Sequence, residues 1–171
     1  RPYYLLVSSF DPRKGIDRAL NWFTGLRDPA FDLVIVGRAH RAFAPVPIPA
    51  HPNIHVLSDV DDARLSALYR NAIALVQPSY YEGFGLPVLE AITLRCPVIT
   101  AHLKVFTEQF GDAVLEADIG YTRSMMRAMV TLNDPSARTE QVERGHARSL
   151  AFTEERTAAA LHQALDAVLG S

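Results

Sequence analysis

The chain has 171 residues, enough for one domain with a full core. Apolar residues make up 49% and charged residues 21%, which excludes a disordered chain, and a net charge of −2 gives no reason to expect nucleic acid or an anionic membrane as partner. Cys96 is the one cysteine, so no internal disulfide can form, which fits a reducing compartment and leads to a cytoplasmic expectation.

The chain begins at Arg1 without an initiator methionine or a charged-then-apolar leader. It enters a strand-like run almost at once, as an excised piece of a longer protein would. That first run covers residues 3–8, and a helix is expected over 15–26. A second strand follows at 33–36. The stretch 39–52 carries four prolines and reads as a loop, mobile in part. Then come a strand at 54–57, a helix at 62–70, a strand at 73–77, a helix at 86–94 and a strand at 98–100. A short helix at 105–109 and a strand at 113–115 precede three helices, at 119–132, 136–149 and 153–169. The last has Thr153 as N-cap, Glu154 and Glu155 in its first turn, and Gly170 past its end. Leu161, Leu165, Val168 and Leu169 keep helical spacing along it. The strands are short and rich in Val, Ile and Leu, as strands buried on both faces should be. Their alternation with helices implies an α/β fold, a doubly wound parallel sheet of about six strands with helices on both faces. No apolar run approaches transmembrane length.

The stretch from Glu82 to Glu90, E-G-F-G-L-P-V-L-E, follows the fourth strand. Gly83 and Gly85 let the backbone turn sharply and approach a ligand. Pro87 suits the first position of a helix, whose free N–H groups then form an anion site. The flanking carboxylates would repel phosphate, so their natural partners are hydroxyls. Phosphate beside polyol describes a nucleotide sugar. The plainer alternative is a turn and a helix start with Glu90 facing solvent.

Ligands of such sheets sit beyond the carboxyl ends of the strands. There the chain supplies Arg13, Lys14 and Gly15 after the first strand, Gly37 and Arg38 after the second, and Ser58 and Asp59 after the third. Arg13 and Lys14 can neutralise a diphosphate, one as a planar fork and one as a point charge, or they can be two solvated loop charges. The first loop, S-S-F-D-P-R-K-G, lacks the G-x-G-x-x-G of a dinucleotide site, and neither a P-loop nor a G-x-S-x-G elbow is present. Asp59 and Asp61 read as helix caps rather than as a carboxylate pair for a metal. His51 and His55 have i, i+4 spacing, but Pro49 and Pro52 argue against a helix and hence against a metal site. Cys96 reads as a buried structural thiol. Met125, Met126 and Met129 read as core packing.

Taken together these residues resemble one family. Y-L-L-V-S-S-F-D-P-R-K-G-I-D-R-A-L at 4–20, D-L-V-I-V-G at 32–37, L-S-A-L-Y-R-N-A at 65–72, P-S-Y-Y-E-G-F-G-L-P-V-L-E-A at 78–91 and C-P-V-I-T at 96–100 look like the C-terminal, donor-binding domain of the retaining GT-B glycosyltransferases of group 1. F-T-E-E-R-T-A at 152–158 is similar to the closing helix of that domain. The stretch at 78–91 is the specific signal. The resemblance implies a Rossmann-like domain over residues 1–171 that forms one half of a GT-B fold, the N-terminal acceptor domain being absent from the chain. It implies a GDP- or UDP-sugar as donor, GDP-mannose among the options, with a glycan or lipid-linked acceptor. By the same resemblance Arg13 and Lys14 bind the diphosphate, and Glu82 contacts the transferred sugar. Gly83, Phe84, Gly85 and Leu86 cradle diphosphate and sugar, and Gly37 is a further substrate-binding residue. Glu90 takes the ribose hydroxyls, and the backbone of Val56, Leu57 and Ser58 holds the base. No metal and no other cofactor is expected. The full-length enzyme is allowed a peripheral membrane association. The fragment alone is expected to be inactive. A nucleotide-sugar epimerase of similar fold and a non-catalytic binding module are the alternatives. Three departures stand out: Ser9 occupies the slot where many members have the arginine, Arg95 replaces a glycine, and the loop A-H-L-K-V-F-T-E-Q-F-G-D lacks the usual small-residue and proline pattern.

Overall fold

The computed structural model describes residues 1–38 and 46–169, without the side chains of residues 154, 157, 160, 161, 168 and 169. Much of the proline-rich loop expected over 39–52, the Gly170 stop, and the side chains of Leu161, Val168 and Leu169 therefore lie outside the described residues.

The described residues form six strands: β1 (Tyr3–Val7), β2 (Asp32–Val36), β3 (Ile54–Leu57), β4 (Ala74–Gln77), β5 (Val98–Thr100) and β6 (Leu115–Glu116). Among the described residues seven α-helices accompany them: α1 (Ile16–Thr24), α2 (Asp62–Asn71), α3 (Leu86–Thr93), α4 (Lys104–Phe110), α5 (Thr122–Asn133), α6 (Pro135–Ser149) and α7 (Glu154–Leu169). All strands are parallel, in the order β3-β2-β1-β4-β5-β6. The sheet is thus doubly wound, and the winding reverses between β1 and β4, where Tyr4 faces Ala74 and Leu5 faces Leu75. A crevice opens at such a reversal because the connections leave β1 and β4 in opposite directions.

The strand period of two divides the core into two layers. Tyr4, Leu6, Leu33, Ile35, Ala74, Val76 and Ile99 point to one face, where α1 and α5 bring Trp22, Phe23 and Met125. Leu5, Val34, Leu75 and Val98 point to the other, covered by Tyr69 of α2, Val88 and Ile92 of α3, and Phe106 and Phe110 of α4. Each fully buried side chain of this size contributes roughly 1.5–3 kcal/mol relative to exposure. α6 packs against α3 at Gly145, where an added Cβ would lie 3.1 Å from the Ile92 side chain.

Several expectations are corrected. The sixth strand is Leu115–Glu116 rather than 113–115, because Gly111–Ala113 close a 3-10 turn after α4. α5 starts at Thr122, three residues beyond the expected 119, since Asp118 to Tyr121 form a turn closed by the Tyr121 amide on the Asp118 carbonyl. β3 is not buried on both faces: it is the sheet edge, and Val56 is 42% exposed. Met126 is exposed, since the core stripe of α5 runs through Met125, Ala128 and Leu132. Cys96 is buried, and burial pushes its thiol up to about 12, which makes it inert at neutral pH. Thr153 does accept from the Arg156 amide at 3.2 Å, as an N-cap should.

Candidate functional site

The carboxyl ends of β1, β2 and β4 and the start of α3 enclose a cleft of about 630 Å³. Lys14, Gly37, Gln77, Leu86, Pro87 and Glu90 line it together with Ser8, Ser9 and Arg38. Of the residues expected at the site, Lys14, Gly37, Leu86 and Glu90 thus converge on one cavity.

Lys14 is delivered by a 3-10 turn, Pro12–Lys14. Asp11 caps it, its carboxylate accepting the Arg13 amide at 2.9 Å, and Pro12 supplies a preset φ. Gly15 ends the turn at φ +66°, in contact with Pro78 of the loop after β4. The Tyr80 amide donates to the Arg13 carbonyl at 2.8 Å. The β1 and β4 loops are therefore one unit.

On that unit the Lys14 ammonium meets Glu82. Nζ lies 2.9 Å from both carboxylate oxygens, with Lys14 27% and Glu82 6% exposed. Oε1 also accepts from Gln77 Nε2 and from Ser79 Oγ, each at 2.8 Å. Oε1 thus has three donors and Oε2 has one, so Oε2 is the oxygen with capacity for a ligand hydroxyl. Gln77 and Ser79 were missed by sequence reasoning. The buried position of Gln77 at the end of a central strand was the available signal, since a buried amide must find partners.

Glu90 sits one turn into α3, exposed, and its Oε2 accepts from the Tyr69 hydroxyl at 2.8 Å. Tyr69 is 1% exposed. Burial first, and the Glu90 carboxylate second, push its phenol well above the ordinary range, so it stays a donor. A second cavity of about 300 Å³, lined by Asp62, Leu65, Ser66, Tyr69, Glu90 and Leu94, adjoins the cleft through Leu65 and Glu90.

Arg13 stands apart from the cleft wall. Its guanidinium forks onto Asp11, with Nε at 3.1 and 3.0 Å from the two oxygens, and its side chain is 63% exposed. Those bonds from the guanidinium, and then the one from the Arg13 amide, hold the Asp11 carboxyl at about 2, below its ordinary 3.8. A carboxyl depressed in the native state stabilises the fold above its unfolded value and loses that contribution as pH falls through its native one. The Tm advantage of the wild type over Asp11→Asn should therefore be complete above about pH 5 and vanish only by about pH 1. Melting curves across that range check it; a gap that stays constant would show that the charge is immaterial.

The glycine turn differs in detail from expectation. Gly85 does carry the positive φ, +99°, and a Cβ there would meet the Phe106 ring at 2.8 Å. Gly83 does not have a positive φ, and nothing lies within 4 Å of a Cβ built on it. Pro87 is the second residue of α3, and the Val88 and Leu89 amides bond to the Gly85 carbonyl. The helix start thus offers fewer free N–H groups than four. Phe84 packs edge-to-face on Phe110 and Phe152, into the core layer rather than the cleft. Val56, Leu57 and Ser58 lie on and after the edge strand, outside the residues lining the cleft. Gly37 has a close approach instead of a turn: an added Cβ would stand 1.8 Å from the Ser8 carbonyl oxygen.

The acidic and imidazole groups weighed as metal ligands have other partners. Asp61 caps α2, accepting from the Arg64 amide at 2.7 Å, and Asp59 pairs with Arg38. His51 accepts from the Asn53 amide, and His55 lies 3.1 Å from Asp32. His102, in the loop after β5, and Thr107 of α4 both bond Glu116 of β6. The Thr107 hydroxyl first, and His102 second, hold the Glu116 carboxyl below its usual range.

The model of the family described as Glycosyl transferases group 1 matches residues 1–122. O-antigen chain mannosyltransferase B of Escherichia coli is 38% identical over 103 residues, which are 60% of this chain and 27% of that protein. O-antigen chain mannosyltransferase RfbU of Salmonella typhimurium strain LT2 is 31% identical over 117 residues, 66% of this chain and 33% of that protein. The chain thus spans about a third or less of the curated relatives it matches. Sucrose-phosphate synthase from Thermosynechococcus elongatus superposes with a TM-score of 0.81 at 24% identity, covering 99% of this chain and 46% of that one. That likeness is one of fold, and it agrees with the Rossmann-like sheet. With the family matched over more than two thirds of its length, the chain belongs to the glycosyl transferases group 1 family.

Proposed function

We propose that this chain is the donor-binding domain of a retaining glycosyltransferase, taking a GDP- or UDP-sugar without a metal ion. The full-length protein would transfer a hexose to a glycan or lipid-linked acceptor held by an N-terminal domain. The observation that carries this reading is the convergence of a lysine and an exposed carboxylate on one cleft at the winding reversal of the sheet, with a buried carboxylate paired to that lysine. A cation suits the diphosphate, and two carboxylates with free acceptor capacity suit the sugar and the ribose. The mannosyltransferase names of two relatives favour GDP-mannose among the donors. Electrostatic stabilisation of the leaving diphosphate by Lys14 would be this domain's share of catalysis. Arg13 would join it by exchanging Asp11 for a phosphate oxygen. Alone, the domain should bind nucleoside diphosphate and transfer nothing, because no opposing face excludes water from the cleft.

Thermal-shift screening against GDP-, UDP- and ADP-sugars tests the reading, since a ligand bound only by the folded state raises Tm. Lys14→Ala should then weaken nucleoside diphosphate binding about ten- to a hundredfold and bare nucleoside binding hardly at all, as expected for a charge-assisted contact of roughly 1.5–3 kcal/mol. Calorimetric titration with GDP and guanosine, or UDP and uridine, reads the difference. Equal loss for both would remove Lys14 from the diphosphate. Binding should persist in EDTA; its abolition would return the metal question to Asp59 and Asp61.

A further inference from the structure

We infer that Tyr69 is a positioning residue whose buried hydroxyl fixes the Glu90 carboxylate for the two ribose hydroxyls of the nucleotide; this rests on the proposed donor-site reading. Glu90 is an exposed side chain with several rotatable bonds, and left to itself it would sample solvent. The Tyr69 ring is 1% exposed and packed in the core layer with Val88, Ile92 and Phe106, so its hydroxyl is as fixed as the core itself. That hydroxyl donates to Glu90 Oε2 at 2.8 Å. One carboxylate oxygen is thereby bound to the domain and the other keeps its acceptor capacity, on a residue that lines both cavities. The device mirrors the one at Glu82, where Gln77 and Ser79 secure one oxygen and leave the other with spare capacity. The donors to Glu82 come from its own loop and the strand before it, whereas Glu90 on α3 is anchored from another element, α2.

Tyr69→Phe removes the hydroxyl and keeps the ring. Its consequence should be confined to ligands that carry ribose hydroxyls, which is what a merely structural role would not produce. The probes are GDP against 2′,3′-dideoxy-GDP, and UDP against 2′,3′-dideoxy-UDP, titrated into the intact 171-residue chain. The wild type should prefer the ribose form, and Glu90→Gln should lose most of that preference. Tyr69→Phe should lower ribose-form affinity about tenfold, leave the dideoxy affinity unchanged, and add nothing in the Glu90→Gln background. An equal loss for ribose and dideoxy forms, or an unchanged preference, would overturn the positioning role while leaving the Glu90 reading intact. A wild type without preference, or a Glu90→Gln variant that keeps it, would overturn the Glu90 reading and this inference with it. The unsubstituted protein provides a second measurement that does not depend on the variant folding. A hydroxyl proton held in a buried hydrogen bond gives a slowly exchanging NMR resonance. The Tyr69 resonance should shift on addition of GDP or UDP and stay in place with the dideoxy forms. Identical shifts with both would also overturn the proposal.

Discussion

Glu82→Gln is expected to lower the melting temperature of the chain by about 4–12 °C, from a loss of roughly 2–3 kcal/mol. The carboxylate is 6% exposed and is the recorded salt-bridge partner of Lys14, itself 27% exposed. Removing one member of a fully buried pair costs roughly 3–5 kcal/mol, and the partial exposure of Lys14 reduces that. The amide would also turn donors toward Lys14, Gln77 and Ser79, all of which already donate to this position. The sign of the binding effect should split by ligand. Freed from Glu82, Lys14 should hold a bare nucleoside diphosphate as well as before or better, whereas a nucleotide sugar should bind more weakly. The double variant Lys14→Met/Glu82→Gln should regain much of the lost stability, because no uncompensated charge remains. Melting curves of the single and double variants decide the matter. Strictly additive losses would mean that the two side chains act independently.

Gly15→Ala should cost about 3–4 kcal/mol and abolish diphosphate binding, while Gly83→Ala changes stability by less than about 0.5 kcal/mol. The added methyl at Gly15 would lie 2.2 Å from the Pro78 carbonyl oxygen, and the φ of +66° disfavours any side chain. The collision is with the Pro78 backbone carbonyl, which cannot swing aside as a side chain could. Relief requires the β1 turn to draw away from the β4 loop, which separates Lys14 from Glu82. Gly83 has open space and an ordinary φ, so the two glycines nearest the site in the two loops make a matched comparison. Wild-type melting and binding in Gly15→Ala would show that the two loops are not one unit.

The fold was legible because its signals are local. Short Val-, Ile- and Leu-rich runs alternating with helical periods were enough for five of the six strands, and Asp61 and Thr153 sat where caps belong. The exceptions have physical reasons. β3 carries apolar residues although it lies at the edge, since what distinguishes an edge is its neighbours and not its composition. The sixth strand slipped because Gly111 at φ +52° ends α4 and starts a 3-10 turn, a backbone event with little hydrophobic pattern. Lys14, Glu82 and Glu90 could be singled out as candidates from residue type and position. Gln77, Ser79 and Tyr69 could not, because an amide, a hydroxyl and a phenol are common in any chain. Only the tertiary arrangement decides that they donate to these carboxylates. Arg13 illustrates the same limit: its partner Asp11 is two residues away, and nothing in the spacing says that the guanidinium turns back upon its own loop.

The bond between Lys14 and Glu82 joins residues 68 apart in sequence, across the seam where β1 and β4 meet. Everything N-terminal to that seam forms one wing of the sheet, β1 with β2 and β3; everything beyond it forms the other. A nucleotide bridging the two loops would act as a further rivet between wings already joined by the β1–β4 pairing, the shared core layer and the bond of the Tyr80 amide to the Arg13 carbonyl. Amide exchange should therefore slow on occupancy well away from the cleft, along β1 and β4 together, and leave the outer strands β3 and β6 little changed. The domain's cooperativity and its ligand affinity are then two readings of one contact, and variants selected for tighter donor binding would raise the barrier to opening the sheet at its centre.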